Sequence, residues 1–292
     1  AADVDSNQGQ LSTTAILNSD VISSLVLSSN PDPAEVCEGT DLFITAAPSG
    51  TRVTDFGSTG ATTDDTTITI PSADYIYQWY LVGNSTPLTD SPQYSGTTTA
   101  TLGIISPTAA LSGNENRVEV TTINNSCPVE ETIAMVVNPL DDASFNYNAM
   151  TFCVNDFDPT PNITGLAGGT FTAVPSGLLS IDSSTGMIDL SASSPGTYTV
   201  SYTTTGTCAN TSDQIITIND LDNANFSYSS NVFCSSDSNP TPTVDVSGGT
   251  FTATGGLSID SSTGIIDLSS SSAGIYTVTY SIANQCPNSA SV

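Results

Sequence analysis

Residues 197–203 read Thr-Tyr-Thr-Val-Ser-Tyr-Thr, so Tyr198, Val200 and Tyr202 alternate with hydroxylated neighbours. A period of two sends every second side chain to the same face, and the stretch predicts a strand with one buried and one wet side. Residues 275–281 carry the same alternation through Tyr276, Val278 and Tyr280, and 213–219 (DQIITIN) predicts a closing strand. Further toward the amino terminus the pattern predicts strands at 42–46, 67–70, 75–81, 99–104, 117–123 and 133–137. Residues 10–18 (QLSTTAILN) are comparable to 213–219 and are expected to be the last strand of a preceding repeat. Gly, Pro, Asn and Ser fill the gaps. No stretch shows the 3.6-residue period of an amphipathic helix, so the fold class expected is all-β.

The pattern also recurs as a whole. GGTFTA stands at 168–173 and 248–253, IDSSTGxIDLS at 181–191 and 259–269, YTVxY at 198–202 and 276–280, and PTP at 159–161 and 240–242. Cys153 maps onto Cys234 and Cys208 onto Cys286, an offset of 81 residues that falls to 78. Ordered matches over a whole segment mark a tandem duplication. A period of about 80 residues is too long for one coil of a solenoid and suits a small independent sandwich, repeated like beads.

These signals divide the chain into four parts: the expected end of a preceding repeat at 1–20, a larger sandwich at 21–138, and two repeats at 139–220 and 221–292, the last expected to be truncated at its carboxyl end. In the larger part Trp79, the only Trp, lies in YIYQWYLVG between Cys37 and Cys127. That is like strand C of an immunoglobulin-like sandwich, where a Trp fills the core. Linkers near 139–143 and 220–224 are short, so the sandwiches are expected to run end to end as an extended rod.

Charge changes the picture of what such a chain can bind. Of 292 residues only 11% are charged; 29 are acidic, two are Arg, and Lys and His are absent, for a net charge of −27. From residue 139 onward every charged side chain is an Asp. Phosphate recognition needs Lys and Arg, so nucleic acid is excluded as a partner, and anionic membranes are disfavoured. No apolar run approaches the ~20 residues that span a bilayer, so no membrane insertion is expected. The two Arg also limit trypsin: Arg117 reads as a strand residue and Arg52 as a loop residue, so a single nick near Arg52 is expected.

The six cysteines come two per segment: Cys37 and Cys127, Cys153 and Cys208, Cys234 and Cys286. This spacing points to disulfides and an oxidising location outside the cytoplasm. Tandem beads favour closure within each bead, hence Cys37–Cys127, Cys153–Cys208 and Cys234–Cys286. Because Cys37 precedes its strand and Cys127 follows its own, that bridge is expected to tie one end of the sandwich.

The pattern Gly-Leu-x-Ile-Asp-x-x-Thr-Gly-x-Ile followed by Gly-x-Tyr-Thr-Val-x-Tyr resembles the cadherin-like and immunoglobulin-like repeats of bacterial surface proteins. With the flanking Cys pair, Pro-Thr-Pro and Gly-Gly-Thr-Phe, it resembles the tandem repeats of Bacteroidota surface adhesins, among them gliding-motility adhesins of the SprB type. The resemblance implies type IX secretion, a place on the cell surface outside the outer membrane, and a role in adhesion or gliding. The partners it implies are neighbouring repeats of the same polypeptide, the gliding and secretion machinery, and a surface or polysaccharide ligand.

Candidate chemistry is sparse. Without His or Lys there is no Ser-His or Cys-His pair and no Schiff-base lysine. The two Asp-Ser-Ser-Thr-Gly runs, at 182–186 and 260–264, read as Asp-capped turns. No residues are nominated as catalytic, and no enzyme is expected. Tyr198 and Tyr276 are candidates for tyrosine corners or ordinary core tyrosines. Asp141, Asp142, Asp220 and Asp222 at the linkers are candidate calcium ligands, with solvated linker carboxylates as the plainer reading. The function expected is a stalk segment of a secreted adhesin. The alternative is a carbohydrate-binding or spacer array attached to a secreted hydrolase, which would need exposed aromatic platforms.

Overall fold

The computed structural model describes residues 20–55 and 65–292; the strand expected at 10–18 lies outside them. Regular structure in the described residues is β-strand, apart from two single-turn 3-10 helices, Ser72–Asp74 and Ala109–Leu111. The chain divides into two compact units, one ending at Leu140 and one running Asp141–Val292.

In the amino-terminal unit one sheet runs Asp20–Asn30, Leu42–Asp55, Thr101–Ile104, Tyr94–Ser95, with Thr66–Thr69 also paired to Leu42–Asp55. The other sheet runs Tyr75–Leu81, Glu115–Thr122, Asn125–Ala134, all antiparallel. Alternation decides what is buried: Leu42 and Ile44 point inward from one sheet, Val118 and Val120 from the other, and Trp79 is 0% exposed among them. Its indole N–H donates to Thr99 O at 2.9 Å, so the ring buries its polar edge satisfied. Two sheets closed over the Trp of Tyr75–Leu81 make an immunoglobulin-like sandwich.

Strands Asp20–Asn30, Glu35–Cys37 and Tyr94–Ser95 are absent from the sequence-based expectation, and Asn125–Ala134 meets it only at 133–134. Asp20–Asn30 carries a register shift between Ile22 and Ser24, which breaks its period of two. Asn125–Ala134 is a largely exposed edge strand whose residues (NSCPVEETIA) have no apolar alternation to read. Arg52 also departs from expectation. It lies within the strand Leu42–Asp55, where Nε and Nη2 donate to Asp20 at 2.7 and 2.9 Å and Nη1 pairs with Asp74 at 2.6 Å. Arg117 sits in its expected strand, paired with Glu119 and Glu130 and stacked 4.5 Å over the Tyr80 ring.

The second unit holds both repeats, each with its own apolar cluster. In the first repeat a four-stranded sheet runs Thr151–Cys153, Thr211–Asn219, Gly196–Thr203, Thr170–Val174. The second has Thr250–Ala253, Val278–Ile282 and Asn288–Ser291 in the corresponding places. The same aromatic cluster anchors both. Phe145 meets Phe171 edge-on at 5.4 Å, and Phe171 lies on Tyr202 at 4.6 Å; the copies Phe226, Phe251 and Tyr280 stand at 5.4 and 4.4 Å.

The repeated motifs gain physical meaning here. In Gly-Gly-Thr-Phe a Cβ on Gly169 would meet the Tyr202 ring at 2.7 Å. The bare backbone lets Gly169 N–H donate to the Tyr202 hydroxyl at 2.8 Å, which itself donates to Leu166 O at 2.7 Å. In the Asp-Ser-Ser-Thr-Gly turn, Asp182 Oδ1 accepts from the N–H and hydroxyl groups of both Ser184 and Thr185. Gly186 then turns at φ +72 with Pro161 and Phe171 over it, and its carbonyl accepts from the buried Tyr147 hydroxyl. Pro-Thr-Pro, the Asp turn and the core tyrosine are one lock, repeated at Pro242, Asp260, Gly264 and Tyr228.

Candidate inter-repeat junction

The cysteines take their places from the strands they flank. Cys153 stands opposite Asn219 in a parallel pairing, and Val154 N–H donates to Asn219 O at 3.1 Å, so Cys153 marks the end where the chain leaves the first repeat. Cys208 O accepts from Asp141 N–H at 2.9 Å, which fixes Cys208 at the end where the chain enters. The strand Thr211–Asn219 separates the two, and its 9 residues span ~30 Å at ~3.3 Å each. A disulfide needs Cα atoms about 4.4–6.8 Å apart.

The expected Cys153–Cys208 and Cys234–Cys286 bridges are therefore replaced. Cys286 lies at the entry end of the second repeat, where its carbonyl accepts from Asp222 N–H at 2.8 Å. It bonds Cys153 across the junction, with a Cα–Cα distance of 5.5 Å and a sequence separation of 133. The exit end of one repeat is thereby shackled to the entry end of the next.

The amino-terminal unit has the same layout. Cys37 pairs in register with Asn138 at the exit. Cys127 follows Asn125, whose side-chain amide donates to Asp20 O at 2.9 Å at the entry. Most of the strand Asn125–Ala134 lies between Cys127 and that exit, so the expected Cys37–Cys127 bridge is also overturned. Cys37 and Cys208 are disulfide-bonded, whereas Cys127 and Cys234 are exposed free thiols. The equivalence of Cys153 and Cys234 was legible in the sequence. That Cys153 meets Cys286 rather than its partner within the repeat was not.

The linker carboxylates accept hydrogen bonds within their own repeats or the adjoining linker. Asp141 accepts from Thr204 Oγ1 at 2.8 Å, Asp142 from Ser144 N–H at 2.9 Å, Asp220 from Leu221 N–H at 2.8 Å, and Asp222 from Asn284 N–H at 3.0 Å. Ser144 holds the Asp142 carboxyl below its ordinary value. Among the described residues no three His, Cys, Asp or Glu side chains gather as a metal set. The structure does not bring the four candidate calcium ligands into one cluster.

Other titratable groups are perturbed for structural reasons. The hydrogen bonds from Arg52 hold Asp20 down to about 2 against its burial. Donors from Thr263 and Ser262 hold Asp260 at about 2, and the matching donors around Asp182 push it well below the usual carboxylate range. Burial pushes Tyr228 up to about 12. Tyr198 and Tyr276 donate to Ser194 O and Ser272 O, four residues upstream and each at 2.6 Å, which makes both tyrosine corners.

No protein-family model matches the chain, and no curated protein matches it. Among solved structures it is similar to mouse cadherin-23 EC22-24, at 14% identity over 92% of this chain and 97% of that one, with a TM-score of 0.30. It is similar to murine CEACAM1b at 13% identity over 68% of this chain and 100% of that one, with a TM-score of 0.29. It is also similar to the titin domains z1z2 in complex with telethonin, at 17% identity over 69% and 100%, with a TM-score of 0.29.

Proposed function

We propose that the chain is a load-bearing stalk segment of a secreted surface adhesin, in which sandwich modules run end to end and a disulfide joins one repeat to the next. The observation that carries this reading is the Cys153–Cys286 bond across the repeat junction. A disulfide closed inside one repeat would protect that repeat alone. One that spans the junction carries tension past the short linker and withholds most of two repeats from extension. In the chain-entropy model a loop of 133 residues also stabilises by about 5 kcal/mol.

Composition supports the same use. A Ser/Thr-rich surface without His or Lys offers reach and solubility rather than catalysis. Disulfides place the chain in an oxidising compartment. Adhesion or gliding on a bacterial surface after type IX secretion is the finer reading, and it rests on the resemblance of the repeated motifs. The carbohydrate-binding alternative asks for an exposed aromatic platform, and the one Trp is fully buried.

Single-molecule stretching with and without reductant tests the load-bearing role. Reduction should release at least the 133-residue span, on the order of 450 Å at ~3.4 Å per residue. Equal extension in both conditions would sink it.

A further inference from the structure

One sheet face of the amino-terminal unit is uncharged over three rows of side chains, on a chain whose net charge is −27. It is the outer face of the sheet Asp20–Asn30, Leu42–Asp55, Thr101–Ile104, Tyr94–Ser95. Alternation sets it. Leu42, Ile44, Leu102 and Ile104 turn inward and are fully buried, so Phe43, Thr45, Thr101 and Gly103 turn outward. The register arranges these positions across the strands. Asn30, Phe43, Gly103 and Ser95 make the first row, and Ser28, Thr45 and Thr101 the second. Val26 and Ala47 make the third. Asp41, just outside the first row, accepts from Ser106 N–H at 2.9 Å.

Phe43 is the centre of the first row. Gly103 stands opposite it in register, and a Cβ there would meet the Phe43 ring at 3.1 Å. The missing Cβ lets the ring settle onto the sheet, with the Ser95 hydroxyl also over Gly103. Gly103 is thereby buried, while Phe43 stays 40% exposed. Covering a glycine is a structural use of an aromatic ring, and here it leaves part of the ring open to solvent. Around that part stand the exposed Asn30 amide and the exposed Ser28 and Ser95 hydroxyls. In the second row the Thr45 and Thr101 hydroxyls bond each other at 3.0 Å.

A ring set among an amide and hydroxyls, without charge, has the chemistry of a sugar site. A pyranose with equatorial hydroxyls presents an apolar C–H face, which stacks on an aromatic ring, and a rim that needs neutral donors and acceptors. An anionic polymer would be repelled by the chain as a whole, and a basic one would find no carboxylate in these rows. We propose that this face is a subsite for a neutral β-linked polysaccharide with equatorial hydroxyls. One pyranose lies on Phe43, and Asn30, Ser95 and Thr45 bond its hydroxyls. Asn30 and Ser95 flank the ring on opposite sides, and the row spans three strand spacings, ~14 Å. One ring makes one subsite, so the module stays a stalk module that also grips the polymer.

The test titrates cellohexaose and laminarihexaose into the whole chain, followed by calorimetry and by backbone amide shifts. Saturable one-to-one binding of at least one hexaose is expected, with shifts concentrated at residues 28–30, 43–45, 95 and 101–103. Phe43→Leu still covers Gly103 but offers no flat ring. It should bind at least about fivefold more weakly, with the Trp-fluorescence melt unchanged. Asn30→Ala, on the side of Phe43 away from Gly103, should bind at least about threefold more weakly and decides the matter should the Leu variant unfold. A mannuronate hexamer should bind at least about tenfold more weakly than the neutral sugar at low salt. Saturable binding of neither hexaose would overturn the proposal. So would equal binding by the variants, equal binding of the mannuronate, or shifts confined to other residues. Concentration-dependent self-association that excludes the sugar would also overturn it, by showing the face taken by a second copy.

Discussion

The amino-terminal unit and the second unit solve the same problem with different chemistry. The first closes two sheets over Trp79 and holds its entry end with charge: Arg52 is forked onto Asp20 and paired with Asp74. The second has no Lys, Arg, His or Glu to use. Its turns are held by Asp side chains that accept from backbone and hydroxyl donors, and its cores by stacked Phe and Tyr whose hydroxyls bond backbone carbonyls. A β-sandwich needs a filled interior and satisfied polar groups at its ends; salt bridges are one way among several to supply the latter.

The largest expected effect separates the two units by where each fails. Trp79→Ala removes the central core side chain of the amino-terminal unit and should cost about 3–5 kcal/mol. Both Arg lie in that unit, in paired strands, so trypsin reports its unfolding alone. The variant should be cut at Arg52 and Arg117 on mild heating, while the wild type resists. Gly186→Ala acts on the other unit. A Cβ at φ +72 would meet Pro161 at 2.6 Å and Phe171 at 2.9 Å, costing about 3 kcal/mol. It should lower the melting of the second unit with no gain in tryptic cleavage. If either variant destabilised both units equally, their independence would fall.

Acid sharpens the comparison next. Asp20 and Asp260 are both held at about 2 against an ordinary 3.8. A depressed folded value means stability that is present above pH ~4 and lost as pH falls from ~4 to ~2. The causes differ: a cation for Asp20, and neutral donors for Asp260. Asp20→Asn should flatten the acid loss in Trp fluorescence, which reports only the amino-terminal unit, and leave the tyrosine signal of the second unit unchanged. Parallel flattening in both signals would contradict the assignment.

The smallest effect distinguishes the two repeats. Tyr198→Phe deletes a buried corner hydroxyl bonded to Ser194 O and should cost about 1 kcal/mol. Tyr276→Phe deletes the same bond at a half-buried site and should cost less. Equal losses in thermal melts would mean that the greater exposure of Tyr276 does not weaken its bond.

Much of the architecture was legible because alternation is local. Tyr198, Val200 and Tyr202 announce their strand, and all three are buried. Trp79 announces the core of the first sandwich. Arg52 was misplaced because the strand Leu42–Asp55 runs on through Pro48, Ser49 and Gly50, residues that read as a turn. The strand Asp20–Asn30 was hidden by its bulge.

The sequence by itself determined the all-β class, the duplication, the oxidising chemistry of the cysteines and the absence of a His- or Lys-based site. Each of these follows from residue type or local period. Only the tertiary structure decided which cysteines meet. Two cysteines that neighbour each other in sequence order stand at opposite ends of a sandwich, and a disulfide reaches only a few ångströms. Cys153 finds Cys286, 133 residues away, because the exit of one repeat abuts the entry of the next. That pairing depends on the direction in which Thr211–Asn219 carries the chain across the repeat, a property of the folded sheet that no spacing of cysteines encodes.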